Sequence, residues 1–209
     1  MKENIPLDFN LLPEKPLIIV ISGLSGAGKD TIVKSLKKRE VPFRFCITAT
    51  SRPPREGEIN GVHYFFYSKE EFQQKIENGD FLEYALVYEQ YKGVPKSQVE
   101  NALASGEDIV IRVDYQGAAT IKELYPNSVL IFVIPEDAET WWKRLSKRGS
   151  DTQRQLDIRR QHAQVEINAA RGYFDYIVVN PDGNIDNALD TIESIITAEH
   201  HRLRRKTTR

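Results

Sequence analysis

Three short, continuously apolar runs constrain the fold of this chain more than any other feature of its sequence. They cover residues 17–22, 108–114 and 128–134. Strands that are buried on both faces read as uninterrupted apolar stretches, whereas strands exposed on one face alternate between apolar and polar residues. Two similar runs, residues 43–49 and 175–180, complete the set, and amphipathic helical patterns separate the runs. The sequence therefore predicts an α/β fold with a parallel sheet flanked by helices.

Composition narrows the class of protein. The chain has 209 residues, of which 40% are hydrophobic and 28% charged, and its net charge is −1. This balance suits a globular core and does not favour a nucleic-acid partner. Cys46 is the only cysteine, so neither an internal disulfide nor a cysteine zinc site is expected. No apolar run approaches the roughly 18 residues of a membrane span, and the first residues lack a signal-peptide core. These features predict a cytoplasmic protein without a membrane partner.

Two segments interrupt the strand and helix rhythm. Residues 48–95 are rich in turn residues and short aromatic strands, which is typical of an inserted subdomain, and residues 146–162 have the charged composition of a mobile lid. The predicted organisation is a leader (1–15), a core (16–47 and 96–200), the inserted mixed α/β subdomain (48–95), a small helical lid within the core (146–162) and a basic tail (201–209).

The first apolar run leads into a glycine-rich loop, SGLSGAGKDT. Gly23, Gly28 and Lys29 fit the phosphate-binding pattern G-x-x-x-x-G-K-[ST], and a strand before the loop with a helix after it is the context that this pattern requires. Successive backbone amides of such a loop wrap phosphate oxygens, and the helix adds its positive end. Lys29 is expected to reach the terminal phosphates of a nucleoside triphosphate.

Asp30 fills the last position of the pattern, where a hydroxyl is usual. An acid in the first helical turn is favourable with the helix dipole. It could also hold a water molecule of hydrated Mg²⁺, while the hydroxyl of Thr31 remains available to the metal.

A second arginine-rich motif, TSRPPREGEINGVHYFF, lies in the insert. Arg52 and Arg55 flank two prolines that stiffen the turn, and Tyr64 follows on a short strand. Arginine suits bidentate contacts to phosphate. Two loop arginines are usually solvated surface residues, but beside a triphosphate loop a second anion site is the better interpretation.

Together these motifs resemble those of the guanylate kinase family. The resemblance runs from Pro16 to about His200 and also rests on NGDFLEYALVY, VDYQGAAT, RLSKRGSDT and FDYIVVN. The segments YKGVP and RVDYQGAAT are most similar to the form found in plant organelles and some bacteria. The resemblance implies a P-loop NTPase-type core that moves the γ-phosphoryl of ATP, bound with Mg²⁺, onto GMP. ATP and GMP are then the small-molecule partners.

The resemblance also implies roles for individual residues. The ATP site would comprise Gly23, Leu24, Ser25, Gly26, Ala27, Gly28, Lys29, Asp30, Thr31 and, near the adenine, Asn180. The GMP phosphate would be held by Arg52, Arg55 and Tyr64, with Thr48 and Glu83 at the guanine. Asp114 would face the phosphates and Mg²⁺, and Arg148 and Arg159 would be lid arginines that close over the transferred group. The expected catalytic set is Lys29, Asp114, Arg148 and Arg159.

Three positions depart from the commoner pattern of the family. Lys92 replaces a phosphate-contacting tyrosine, Val94 replaces a base-contacting hydroxyl residue, and Arg112 stands where an aspartate usually lies near the base. Two alternatives therefore stay open at this point. One is a kinase of the same fold that acts on another phosphorylated acceptor, such as a ribose bisphosphate. The other is a non-catalytic binding module.

Overall fold

The computed structural model describes residues 15–87, 89–146 and 153–203. In chain order, the helices and strands of these ranges are β1 Ile18–Gly23, α1 Lys29–Lys38, β2 Phe43–Phe45, β3 Ala49–Thr50, β4 Phe65–Phe66, α2 Lys69–Glu77, β5 Phe81–Val87, β6 Gln90–Pro95, α3 Lys96–Ala104, β7 Asp108–Arg112, α4 Tyr115–Leu124, β8 Val129–Pro135, α5 Ala138–Ser146, α6 Gln153–Tyr173, β9 Tyr176–Asn180 and α7 Ile185–His200. The predicted leader up to residue 14, the part of the lid that contains Arg148, and tail residues 204–209 lie outside the described residues.

The central sheet is parallel and has the strand order β2-β7-β1-β8-β9. Its middle strand, β1, is buried along its whole length. Val20 in β1 pairs with Ile111 on one side and with Leu130 on the other. One apolar cluster joins β1 to α1 and α7, and a second joins it to α3 and α4. Helices thus cover both faces, which explains the uninterrupted apolar runs. The predicted α/β fold class is confirmed.

A second, mixed sheet has the strand order β4-β3-β6-β5. β3 runs parallel to β4 and antiparallel to β6, which in turn pairs antiparallel with β5. Helix α2 packs on this sheet through Phe72, which is fully buried and stacks on Phe81 and Tyr91 with ring centroids 4.4 and 5.3 Å apart. This small aromatic core holds the second sheet together.

The structure corrects the predicted strand over residues 43–49. β2 ends at Phe45, and the chain leaves the central sheet after Cys46, whose amide donates to the Val110 carbonyl at 2.9 Å. Ala49 already belongs to the second sheet, where it pairs with Gly93. One run of residues therefore spans two sheets: it is partly buried at the edge of the central sheet and buried once it reaches β3.

Helix α2 was not predicted from the sequence. Ser68 caps it by accepting a hydrogen bond from the Glu71 amide, and the Glu71 side chain accepts one from the Ser68 amide. This reciprocal capping box is visible in the sequence as S-x-x-E, so a signal for the helix was present.

Within the described ranges, no helix combines the length and the apolar character needed to cross a membrane.

Candidate active site

The glycine-rich loop connects the end of β1 to α1 in a tight curl. Gly23 and Gly28 have φ angles of 144° and 89°, a region that side chains rarely adopt. A Cβ atom at Gly23 would lie 2.1 Å from the Val133 carbonyl oxygen, and one at Gly28 would lie 2.5 Å from the Asn180 amide nitrogen. Asn180 also donates to the Ala27 carbonyl at 2.8 Å. The loop therefore needs glycine at both positions, and Asn180 braces it from the end of β9.

Lys29 begins α1 and turns its ammonium group back into the loop. Its Nζ donates to the carbonyls of Gly23 at 2.6 Å and Leu24 at 3.0 Å. Burial lowers the pKa of Lys29 to about 8, opposed by the negative charges of Glu166 and Asp30. The ammonium group of Lys29 thus binds two carbonyls of the loop in this structure. Phosphate oxygens of a bound nucleotide would take the place of these carbonyls as its acceptors.

Ser25, at the outer side of the loop, is held by three side chains. Its amide donates to Glu166 Oε2 at 3.1 Å, its hydroxyl accepts from Arg159 at 2.5 Å, and its carbonyl accepts from Trp141 Nε1 at 2.8 Å. Arg159 was predicted at this site, whereas Glu166 and Trp141 were missed. Glu166 lies seven residues after Arg159, or about two helical turns along α6, and this spacing was a usable signal. The helix that carries the predicted lid arginine therefore contacts the loop directly.

The predicted phosphate arginines flank an acid that sequence reasoning missed. Arg52 donates to both carboxylate oxygens of Glu58 at 2.6 Å, and the Arg55 amide donates to the same carboxylate at 2.8 Å. The hydrogen bonds from Arg52 lower the pKa of Glu58 to about 2. The Arg52 guanidinium carbon lies 5.1 Å from the ring centroid of Tyr64. In this structure the two guanidinium nitrogens of Arg52 are therefore paired with Glu58 beside Tyr64, while the Arg55 side chain is exposed.

Glu83 in β5 is a buried acid at the base of the second sheet. Glu83 as a whole is only 8% exposed. Burial raises the pKa of Glu83 to about 8, the charge of Asp114 adds to the rise, and Lys92 opposes it. A Cβ atom on Gly117 would lie 2.9 Å from the Glu83 carboxyl carbon. The Glu83 carboxyl fits at this position because Gly117 has no side chain.

Two more residues belong to the predicted surroundings of the base: Thr48, a predicted base contact, and Val94, which replaces a base-contacting residue of the commoner family pattern. Thr48 is 8% exposed and directly precedes β3. Val94 is fully buried and pairs with Glu83 across β5 and β6. Its side chain belongs to the apolar cluster between the central sheet and α3. Val94 therefore fills the core in this chain, whereas a hydroxyl residue would offer the base a hydrogen bond.

Asp114 lies after β7, which ends two residues earlier than predicted. It caps α4, with Oδ1 accepting from the amides of Gln116 and Gly117 at 3.0 Å each. The strand ends early because this cap starts a helix at Tyr115. Asp114 remains at the carboxyl edge of the sheet, near Glu83 and Lys92.

The two groups of residues define a class of protein. A strand, a glycine loop with a buried lysine and a helix form a P-loop on a parallel sheet, and an arginine fork with a buried acid lies on an adjoining sheet. The strand, loop and helix are those of a P-loop kinase.

Comparison with known proteins identifies the family. The guanylate kinase family model matches residues 15–199. The chain is 45% identical to guanylate kinase 2, chloroplastic/mitochondrial, of Oryza sativa subsp. japonica, over 93% of this chain and 68% of that protein. It is 46% identical to the guanylate kinase of Clostridium tetani, over 92% of this chain and 90% of that protein. The crystal structure of guanylate kinase from Anaplasma phagocytophilum matches with a TM-score of 0.74 at 26% identity, covering 92% of this chain and 90% of that one.

The chain belongs to the guanylate kinase family. Its function is accordingly that of a nucleoside monophosphate kinase. The predicted similarity to plant-organelle and bacterial forms is also confirmed, because both kinds occur among these relatives.

Proposed function

We propose that the chain transfers the γ-phosphoryl of ATP to GMP, and also to dGMP, giving ADP and the nucleoside diphosphate. The observation that carries this proposal is the buried carboxyl of Glu83 in the second sheet. Within the described residues no side-chain hydrogen bond holds this carboxyl, and the positive charge of Lys92 only partly offsets its burial. The ionised form of Glu83 can accept from guanine N1–H and the 2-amino group, so bound guanine would favour ionisation of this carboxyl, whereas adenine offers neither donor.

Phosphoryl transfer mainly requires that the substrates are aligned and their charge neutralised. The P-loop and the residues of the second sheet would supply both. Lys29 and the loop amides would hold the ATP phosphates, and Arg52, Arg55 and Tyr64 would hold the acceptor phosphate. Arg159, already on the loop at Ser25, would neutralise charge on the transferred group. An acceptor phosphate that is ionised at pH 7 needs no general base.

The remaining predicted contacts extend this proposal. We assign residues 48–95 to the acceptor subdomain and residues 146–162, with Arg148, to the lid. Thr48 and Lys92 would complete the GMP site, and Asn180 would act on the ATP side by bracing the loop. A cytoplasmic location stays a prediction.

Magnesium would enter with ATP. In the part of the chain that the structure describes, no group of three or more His, Cys, Asp and Glu side chains is arranged to hold a metal. Mg²⁺ commonly keeps several waters and binds through one or two carboxylates together with substrate phosphates. Asp114 caps α4 at the carboxyl edge of the central sheet and Thr31 lies in the first turn of α1, and such a sparse donor set fits a hydrated ion. Bound Mg²⁺ would neutralise phosphate charge.

A coupled assay of ADP formation with GMP, dGMP, AMP, UMP and CMP tests the proposal. We expect turnover with GMP and dGMP and little with the others. Lack of ADP formation with GMP would contradict it, and turnover with ribose bisphosphate alone would favour the other acceptor class. ATP binding without turnover of any acceptor would favour a binding module.

The variant Glu83→Gln tests the base reader. A neutral amide can donate to the base where a carboxylate cannot, so discrimination against AMP should relax. If the variant rejects AMP as strongly as the parent does, Glu83 does not read the base.

A further inference from the structure

Arg112, the last residue of β7, contacts both halves of the site. One guanidinium nitrogen donates to the carboxylate of Asp30 on α1, and the other donates to the hydroxyl oxygen of Tyr64, which directly precedes β4 of the second sheet. Its guanidinium carbon lies 5.1 Å from the Tyr64 ring centroid. The Arg112 side chain is 21% exposed and that of Asp30 is 60% exposed. A single half-buried cation thus links the first turn after the P-loop to the predicted phosphate ligand Tyr64.

The direction of the hydrogen bond to Tyr64 fixes what that hydroxyl can do. A guanidinium has no acceptor, so the Tyr64 oxygen must accept. The O–H hydrogen is then left to donate to another group. A cation on the oxygen also strengthens the hydroxyl as a donor. Arg112 therefore prepares Tyr64 to donate to an anion.

Asp30 makes this arrangement electrostatically acceptable. Arg112 lies near Lys29, and its positive charge lowers the pKa of Lys29, whereas the charge of Asp30 raises it. A guanidinium without an acidic partner would add to a cationic region that already contains Arg52. The carboxylate at the position where the P-loop pattern has a hydroxyl thus anchors Arg112 and offsets its charge.

We propose that Arg112 is a positioning residue for the acceptor phosphate: anchored by Asp30, it orients the Tyr64 hydroxyl toward the phosphate of GMP. The acid after the P-loop lysine then serves the acceptor site, and its task is to hold Arg112 in place. This proposal rests on the proposed phosphorylation of GMP.

A double-mutant cycle tests the link between Arg112 and Tyr64. Arg112→Gln should lower kcat/KM for GMP about 10- to 100-fold, the loss expected for a hydrogen bond to a charged group. The KM for ATP should change less than about 3-fold. In a Tyr64→Phe background, the same change should cost less than about 3-fold more, because the hydroxyl that Arg112 orients is gone. Additive losses, or an equal effect on ATP, would overturn the proposal. Arg44→Gln, which removes a surface arginine paired with Glu107, is the matched control.

Asp30→Asn gives a second test that does not depend on tolerance of changes at Arg112. The Asp30 side chain is largely exposed, so the fold should persist, and circular dichroism with urea unfolding would check this for each variant. We expect a loss in kcat/KM for GMP that follows Arg112→Gln, with the half-maximal Mg²⁺ concentration unchanged. A shifted Mg²⁺ requirement with an unchanged KM for GMP would overturn the proposal and assign Asp30 to the metal. Absence of GDP formation by the wild-type chain would overturn the proposed function itself, whereas wild-type activity with additive variants would overturn the role of Arg112 alone.

Discussion

Replacing Glu83 by glutamine should stabilise the folded protein at pH 8 although it removes the proposed guanine reader. Burial raises the pKa of Glu83 from 4.5 to about 8. Between these values the carboxyl is ionised in the unfolded chain and protonated in the folded one. Folding must then take up a proton, so the free energy of unfolding falls as pH rises through this window. Glutamine keeps the size of the side chain and has no proton to take up.

The magnitude follows from the size of the pKa shift. Each pH unit between the two pKa values costs about 1.4 kcal/mol, so the penalty is near zero at pH 4.5 and about 3 kcal/mol at pH 7. It levels off above pH 8 at about 4 to 5 kcal/mol, which is an upper bound because some relaxation is expected around the charged group. We therefore expect the advantage of Glu83→Gln over the parent to grow by at least about 2 kcal/mol between pH 5 and pH 8.

Urea unfolding of both proteins at pH 5, 6, 7 and 8, followed by circular dichroism, measures this difference. Other titrating groups, including Lys29, are common to both proteins and cancel in the comparison. Glu77→Gln, at an exposed position of α2, is the matched control and should stay within about 0.5 kcal/mol of the parent at every pH. A difference between Glu83→Gln and the parent that does not change with pH would refute a raised carboxyl pKa and the burial argument behind it.

Two glycine substitutions test the room that the backbone leaves around Glu83 and Asn180. Gly117→Ala should add up to about 1 kcal/mol of helix propensity in α4, yet raise the KM for GMP, because its Cβ would lie 2.9 Å from the Glu83 carboxyl; urea unfolding and steady-state kinetics would show both effects. Gly28→Ala should weaken ATP binding by 10-fold or more and lower stability by about 1 to 3 kcal/mol, because it has a φ of +89° and its Cβ would lie 2.5 Å from the Asn180 amide. Calorimetric titration with ATP measures the first loss, and unchanged ATP affinity would contradict the proposed loop geometry.

The sequence predicts the central sheet well because local pattern and tertiary setting agree there. β1 is buried along its whole length and, before Ser22, wholly apolar, so its apolar pattern agrees with its central position in the sheet. In the run over residues 43–49, by contrast, the sequence pattern does not give the position of the residues. Burial alone does not say which sheet receives a residue, and the chain passes from one sheet to the other between Cys46 and Ala49.

Within the site, the sequence marks those groups that belong to local motifs. The glycine loop and Lys29 are fixed by consecutive residues, and the structure shows the curl that they predict. Other residues support the motifs through hydrogen bonds that the motifs do not announce. Glu166 and Trp141 bind Ser25 from distant parts of the chain, and Glu58 binds Arg52 from a position of the turn that no pattern singles out. Such support depends on the folded geometry, and a one-dimensional pattern records it only where spacing places two side chains on one helix face, as for Arg159 and Glu166.

The reading of Asp30 changes most between sequence and structure. In the sequence it is a departure from a phosphate-binding pattern, with a suggested role toward hydrated Mg²⁺. In the structure its carboxylate binds Arg112, another position at which the chain departs from the commoner family pattern. The two departures are 82 residues apart, so only the pairing of β1 with β7 brings them together.

Product stoichiometry tests the central claim most directly. The chain is mixed with ATP, Mg²⁺ and GMP, and all nucleotides are separated by ion-exchange chromatography at several times. We expect ADP and GDP to appear in equal amounts and ATP to be stable when GMP is left out. ADP formed in excess of GDP, or ATP consumed while GMP stays intact, would contradict transfer between the two sites.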